Sequence, residues 1–267
     1  MDFGGGMKKP KTSNIFRSSA VIKKLFWFLR KQEKPQVTWW SSVDGLEKVV
    51  PILPAKEFIP DWFKNIERSE DSTPITRGTV KVCPSFPEFF AQGYVVPLWC
   101  DLQINVSAEG FEWHTPDKKF SFEIHGNNQF RDHVPEHVRK NSSLVLKTLC
   151  PWRVKTSPGY SLWQMPMYYN YNSLFEVLPG IIWSDILHEI NQQMLIKKYG
   201  IFTISRGTPL AVYIPYKREK YDFTIRKNDD ETRGWADESV LHVHSKFHGG
   251  YKLMQLESKK CPVNKKD

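Results

Sequence analysis

The sequence predicts a mainly β fold, in which a sandwich-like body carries two short helices and is flanked by extended N- and C-terminal arms. Short runs of strand-forming composition recur through the middle of the chain. Turn-forming residues separate these runs, and no long helices intervene between them. The predicted strand runs after Gly93 are residues 94–107, 111–113, 120–124, 143–149, 152–156, 160–165, 180–183, 200–204 and 209–216.

Two proline-punctuated segments in the first half of the body predict the two short helices. Pro60 fits the first turn of a helix that carries Trp62, because the N–H that proline lacks has no partner at that position. In residues 85–93, Pro87 again falls in the first turn, and Gly93 is placed to end the helix in the left-handed conformation. Both helices are rich in aromatic residues, which suits elements that close one end of a β structure.

The chain divides by composition into three parts. Residues 1–36 are a basic leader with an amphipathic segment, residues 37–222 form a single β-rich domain, and residues 223–267 form a charged C-terminal arm. No apolar run reaches the ~18 residues that a membrane-spanning helix needs. Lys23 and Lys24 interrupt the apolar stretch near the N-terminus, so we do not expect secretion through a signal peptide.

The positive charge of the protein lies in its terminal segments. The formal net charge is +9. Residues 1–36 contain nine basic and two acidic residues, and residues 241–267 contain six basic and two acidic residues, whereas the remaining body is slightly acidic. A groove that follows nucleic-acid phosphates needs its basic excess in the folded body. Nucleic acid therefore stays open as a partner only through the basic arms.

One tyrosine-rich run and one basic side chain are the candidate binding residues. Tyr168, Tyr169 and Tyr171 follow a predicted strand at high density, a composition that protein interfaces favour. Arg153 follows Trp152 directly, an aromatic and basic combination that is typical of stacking platforms.

Three histidines near the C-terminus, His242, His244 and His248, are the best candidate metal ligands. On a strand the first two share a face, and on a helix the last two do. Asp185 is the carboxylate that would complete an iron site with two histidines. Dinucleotide-binding, P-loop and nucleophile-elbow motifs are absent from the sequence, and we expect no cofactor.

Five segments together resemble a family of proteins of uncharacterised function that tailed phages, especially marine ones, and some bacteria encode. The resemblance covers most of residues 50–220. It implies that residues 184–198, which taken alone have the apolar period of a helix, form a strand and a loop. The segments are PAKEFIPDWFKNI (54–66), GTVKVCPSFPEFFAQGYVVPLWCDL (78–102), PWRVKTSPGYSL (151–162), LPGIIWSD (178–185) and RGTPLAVYIPYKRE (206–219).

The order of turns and strands is also similar to that of β-clip proteins such as dUTP pyrophosphatases. Gly180 and Asp185 match positions in those enzymes, where an aspartate positions water. This likeness implies a β-clip-like body. The phosphate-binding serine and glycine segments of those enzymes have no counterpart in the sequence.

These observations favour a non-catalytic, phage-type structural or accessory protein, virion-associated, that acts through protein–protein contacts. Its expected partners are other protein chains, either further copies of itself or virion proteins. Its expected location is the host cytoplasm or the virion. The alternative is a metal-dependent oxygenase or a nucleotide-processing enzyme built on the same β-rich body, with Asp185 and neighbouring polar groups at its site.

Overall fold

The body of the protein is a mainly β structure, which confirms the predicted fold class. The computed structural model describes residues 34–70, 77–107 and 110–245. The chain divides into two units, Met1–Val37 and Thr38–Asp267, and the second unit contains nearly all of the elements described below. The β-clip-like part of the expectation stays a prediction.

The strands are short and many are joined by tight turns. They are β1 (Val37–Ser41), β2 (Leu53–Pro54), β3 (Ser69–Glu70), β4 (Arg77–Gly78), β5 (Tyr94–Pro97), β6 (Leu102–Val106), β7 (Phe111–His114), β8 (Phe122–His125), β9 (Leu144–Thr148), β10 (Trp152–Thr156), β11 (Tyr160–Pro166), β12 (Phe175–Val177), β13 (Gly180–Ile182), β14 (Gln193–Ile196), β15 (Gly200–Ile204) and β16 (Pro209–Lys217). The α-helices are α1 (Leu46–Val49), α2 (Asp61–Asn65), α3 (Ser85–Phe90), α4 (Glu136–Lys140) and α5 (Asp230–Ser245).

The two largest sheets have five and four strands. The five-stranded sheet has the order β13-β11-β16-β5-β2, and the four-stranded sheet has the order β12-β14-β9-β8. Smaller sheets have the orders β15-β6-β7, β1-β10 and β3-β4. The pairings within the two large sheets are antiparallel.

The alternation of residues along the strands explains how the core forms. In β6, Leu102, Ile104 and Val106 are buried, whereas Gln103 is exposed. Because successive side chains of a strand point to opposite faces, this pattern buries one face of the small sheet and leaves the other in contact with water. Ile104 lies opposite Phe202 of β15, which is also buried.

A buried hydrogen-bond network joins the five-stranded sheet to the four-stranded sheet. Tyr213 of β16 lies directly opposite Gln164 of β11, and its hydroxyl donates to Gln164 Oε1 over 2.9 Å. Gln192 Nε2 donates to the Tyr213 hydroxyl over 2.7 Å, and Gln192 Oε1 accepts from Thr148 Oγ1 of β9. All four side chains are buried, and burial raises the pKa of Tyr213 well above its usual value. The Tyr213 hydroxyl is therefore neutral, and it donates to one side chain of the network and accepts from another.

The two predicted short helices are confirmed as α2 and α3, and α1 and α4 are further short helices that the sequence pattern did not indicate. Pro60 precedes α2 and Pro87 lies within α3. Gly93 has a φ angle of 79°, in the left-handed region. A Cβ atom at Gly93 would lie 2.3 Å from the carbonyl oxygen of Tyr213, so the close approach of the two backbones also requires glycine.

Residues 184–198 form a turn followed by strand β14. The strand-and-loop interpretation of this segment is therefore confirmed, and the helical alternative is wrong. Met194 and Ile196 are buried in the pairing with β9, so the apolar residues that suggest a helical period serve a sheet instead.

The C-terminal segment differs in part from the predicted extended arm. Residues 219–229 have no regular secondary structure, and α5 follows them. Asp229 caps this helix, because its Oδ1 accepts from the Thr232 amide over 2.9 Å while its own amide donates to Thr232 Oγ1 over 2.9 Å. These bonds lower the pKa of Asp229.

Several predicted features lie outside the described residues. Among them are the amphipathic segment and nearly all of the basic residues 1–36, and the end of the C-terminal arm from residue 246 onward. In the part of the chain that the structure describes, no helix is long and apolar enough to cross a membrane.

Gly93→Ala is expected to lower the free energy of unfolding by about 2 kcal/mol or more, measured by urea denaturation. The left-handed backbone is roughly 1 kcal/mol less favourable for alanine than for glycine. The methyl group of alanine must also displace the backbone of Tyr213. Gly207→Ala is the matched control, since Gly207 has a φ of 85° but open space around it. Equal losses in the two variants would contradict the steric explanation.

Tyr213→Phe is expected to destabilise the protein by about 1–3 kcal/mol, because Gln192 and Gln164 each lose a buried partner while the ring stays in place. The measurement is the urea midpoint. Tyr216→Phe serves as the control, since the Tyr216 ring packs on Trp163 and its hydroxyl takes no part in the network. A loss no larger than that of the control would show that the network does not stabilise the contact between sheets.

Candidate functional site

The segment between β11 and β12 forms a strained loop that is rich in tyrosine. We call residues 167–172 the tyrosine loop. Tyr169 has a φ angle of 67° and Tyr171 one of 49°, in the left-handed region that bulky side chains rarely adopt. Such a conformation costs roughly 1–2 kcal/mol per residue, so surrounding contacts must hold the loop in place. Strained backbone of this kind is concentrated at functional sites.

Aromatic side chains of α2 and α3 anchor the tyrosine loop. Trp62 Nε1 donates to the carbonyl oxygen of Tyr169 over 2.7 Å. The Tyr169 ring lies 5.2 Å from the ring of Phe86 and 5.7 Å from the rings of Phe89 and Phe90, measured between centroids. Tyr169 is therefore partly buried and fixes the loop to the two helices.

The other two tyrosines of the loop face solvent. Tyr168 is 44% exposed and Tyr171 is 75% exposed. The Tyr171 ring lies 6.0 Å from the Trp62 ring, and the Tyr168 ring lies 6.2 Å from the Phe89 ring. The loop thus presents two large amphipathic rings whose positions are set by packing on one side.

A cleft of about 320 Å³ opens between the tyrosine loop, β12 and the turn before β16. Tyr168 and Tyr171 line one part of it, and Lys197 lies in the lining next to Glu176, with 2.7 Å between Lys197 Nζ and Glu176 Oε2. Asn170 Oδ1 is buried beside the cleft and has no hydrogen-bond partner among the described residues. The cleft therefore offers aromatic faces, one acceptor and one ion pair.

The chemistry of the cleft suits binding. Its described lining contains no histidine and no cysteine, and its carboxylate is already paired with a lysine. A general base or nucleophile needs a free group within hydrogen-bond reach of its partner. Clefts with mostly apolar walls and a few fixed polar groups are typical of recognition sites.

Asp185 is held in an ion pair outside this cleft. Its Oδ1 accepts from Arg218 Nη1 over 2.8 Å, and its Oδ2 accepts from Arg218 Nη2 over 2.5 Å and from the Gly159 amide over 2.9 Å. These bonds lower the pKa of Asp185 from 3.8 to about 2. The Arg218 guanidinium also stacks on Trp183, 4.5 Å from its ring centroid. Both carboxylate oxygens are engaged, so Asp185 has the contacts of a structural residue.

Arg153 has different partners and does not share a site with Asp185. Its Nη1 donates to the carbonyl oxygens of Cys150 and Trp152 over 2.5 and 3.1 Å. Its Nη2 lies 3.4 Å from Glu189 Oε1, across a β-bridge between the two residues. The predicted binding residues therefore lie in three separate places, the tyrosine loop, the Asp185 ion pair and the Arg153 pair.

The predicted metal ligands lie at or beyond the end of the described chain. Positions 242 and 244 belong to α5, and His248 lies outside the described residues. Because the backbone is helical at the first two positions, the strand geometry that would bring them to one face does not apply. Within the described residues, no group of three or more His, Cys, Asp or Glu residues is placed to hold a metal ion.

Comparison with known proteins gives no match: no family model, curated protein or solved structure is similar to this chain. The functional interpretation therefore depends on the geometry of the protein itself.

The sequence indicates the tyrosines but not what holds them. Trp62 and Phe86 are visible as members of aromatic helices, yet nothing local connects residues 62 and 169, which are 107 positions apart. The left-handed conformations of Tyr169 and Tyr171 have no signal in the sequence either, because neither residue is glycine or asparagine.

Asp185→Asn is expected to lower stability at neutral pH, with a loss that shrinks as the pH falls from about 4 towards 2. Because the pKa of Asp185 is lower in the folded state, its contribution is complete above pH 4 and disappears as the carboxylate is protonated. Urea midpoints at several pH values measure this. Asp61→Asn is the control, since Asp61 forms an exposed pair with Lys64. A loss independent of pH would contradict the ion-pair account.

Proposed function

We propose that this protein is a non-catalytic structural or accessory protein that acts through protein–protein contacts, with the tyrosine loop as a contact surface. The observation that carries this proposal is the pair of exposed rings, Tyr168 and Tyr171, held beside a cleft by a partly buried aromatic anchor. Tyrosine is enriched at protein interfaces. A surface that is already ordered loses little conformational entropy when it binds.

The phage-like motifs support a virion-associated role. Motif 54–66 contains α2, and motif 78–102 contains α3, the two helices that anchor the tyrosine loop. We infer that the resemblance extends to the elements that build the contact surface. The partners would then be virion proteins or further copies of the chain, and the protein would be found in the host cytoplasm or in the particle.

The ionisable groups of the body support a non-catalytic role. The enzyme alternative, a metal-dependent oxygenase or a nucleotide-processing enzyme, depends on Asp185, whose two oxygens are bound by Arg218 and Gly159. Burial raises the pKa of Cys100 and of Cys150 to about 12, so neither thiol ionises at neutral pH. Binding of nucleic acid by the basic residues 1–36 and 241–267 stays a prediction, because most of these residues lie outside the described chain.

The test is site-specific photo-cross-linking at position 171 in purified particles of the encoding phage. With p-benzoylphenylalanine in place of Tyr171, irradiation is expected to join the protein to another protein chain. Tyr168→Ser in the same chain is expected to lower the yield at least ~10-fold, because it removes a neighbouring ring of the contact surface.

Position 199 is the matched control, since Tyr199 is 53% exposed but does not belong to the tyrosine loop. We expect little cross-linking there. Particles that lack the protein would contradict the virion-associated role. Equal yields at positions 171 and 199 would contradict the assignment of the contact surface.

A further inference from the structure

The segment after β16 has no regular secondary structure, but its sequence has the alternating apolar pattern of a strand. We call residues 219–228 the arm, and all of its residues are exposed. Tyr221, Phe223 and Ile225 are each more than 80% exposed. If the arm pairs as a strand, alternate residues point to the same side, and these three side chains then form one apolar stripe. Single exposed apolar residues are ordinary on protein surfaces, but a contiguous stripe marks an interaction site.

The backbone of the arm is also unpartnered. Within the described chain, the backbone groups of residues 219–226 form no hydrogen bonds. The arm is fixed only near its two ends. Arg218 donates its amide to the Gly159 carbonyl oxygen over 2.8 Å, and Arg226 binds Asp229 and Glu231 at 3.0 and 2.7 Å. A row of free N–H and C=O groups beside an apolar stripe favours the addition of the arm to a sheet edge.

A sheet edge with matching properties exists on the same chain. β13 is the outermost strand of the five-stranded sheet, and a cleft of about 310 Å³ opens beside it, which we call the edge cleft. Ile181 and Leu187 in its lining are more than half exposed. Lys147 and Glu189 in the same lining are already paired, with Glu123 and Arg153 respectively. The edge cleft therefore offers mainly apolar contact for the side chains of the arm.

We propose that the arm of one copy adds as a strand beside β13 of a second copy, and that the exchange is reciprocal and forms a twofold dimer. The arm does not cover the edge cleft of its own chain, in which Ile181 stays exposed. The arm begins next to Arg218, which is bound to Asp185, and Asp185 lies three residues after the end of β13. The start of the arm and the edge of β13 are therefore close together on the surface. A twofold axis close to that point lets each arm reach the other copy, and such an interface is closed.

The area of the exchange is sufficient for a stable dimer. Buried aromatic side chains cover roughly 150–250 Å² each, and each arm brings two of them together with an isoleucine. Including the acceptor surface and doubling for the twofold axis gives on the order of 1,800 Å², within the ~1,200–2,000 Å² typical of specific interfaces.

Sedimentation equilibrium of the full-length chain tests the proposal. The unchanged protein is expected to dimerise in the micromolar range. Replacement of Tyr221, Phe223 and Ile225 together by Ser is expected to raise the dimer dissociation constant at least ~10-fold, because the apolar stripe is lost. Since these side chains are exposed, the fold is retained, which circular dichroism checks.

A matched control and a complementary pair of variants locate the contact. Tyr199→Ser with Ile201→Ser removes similarly exposed side chains near the three-stranded sheet and is expected to change the dissociation constant less than ~2-fold. Ile181→Lys is expected to weaken dimerisation as strongly as the arm variant. A mixture of the Ile181→Lys chain and the arm variant should form a heterodimer through the one intact contact more readily than either variant dimerises alone.

Three outcomes would overturn the proposal: a monomeric unchanged protein, equal effects of the arm and control variants, or full dimerisation of the Ile181→Lys chain. Tyr171→Ser is expected to leave the dimer unchanged. The Tyr171→Ser variant therefore distinguishes the dimer contact from the tyrosine loop, because either proposal can be contradicted while the other holds.

Discussion

The hydrogen bond between Gln192 and the Tyr213 hydroxyl joins the two largest sheets at a buried point of the core. Tyr213 lies on β16, between β11 and β5, and its side chain reaches the segment that leads into the four-stranded sheet. Its carbonyl oxygen is the atom that a side chain at Gly93 would strike. Its ring also meets that of Trp39 on β1, with 5.6 Å between centroids. One residue thus contacts both large sheets, β1 and the backbone just after α3.

The tyrosine loop depends on this framework through α3. Because Gly93 fixes where the chain leaves α3, it also fixes the phenylalanine rings on which Tyr169 packs. The left-handed backbone of Tyr169 and Tyr171 is unfavourable by itself, and the aromatic contacts and the bond from Trp62 offset it. A loop that is strained yet fully supported presents its outer rings in one conformation, which is the condition for tight and specific binding.

The sequence predicts those parts of the fold whose signal is local. Strands β10 and β15 match the predicted runs residue for residue, and Pro60 and Pro87 mark the two aromatic helices. Contacts between distant segments have no local signal in the sequence. Nothing near Asp185 indicates Arg218, its partner 33 residues later, so a carboxylate that suggests chemistry in the sequence is a structural ion pair in the fold. Helix α5 has a local signal in Asp229 and Thr232, but the charged composition of the segment conceals it.

The Asp185–Arg218 pair lies directly before the arm and fixes the point at which the arm leaves the body. A bidentate pair with a ring stacked on it restricts both side chains, and here it holds Arg218, the residue directly before the arm. Without it, the arm would start from a mobile point, and the entropy lost on docking would increase. Asp185 is the candidate catalytic carboxylate of the sequence, but its contacts are better explained by a structural role at the start of the arm. In the proposed assembly, the β-rich body positions the tyrosine loop and the arm, and these two segments would contact other chains.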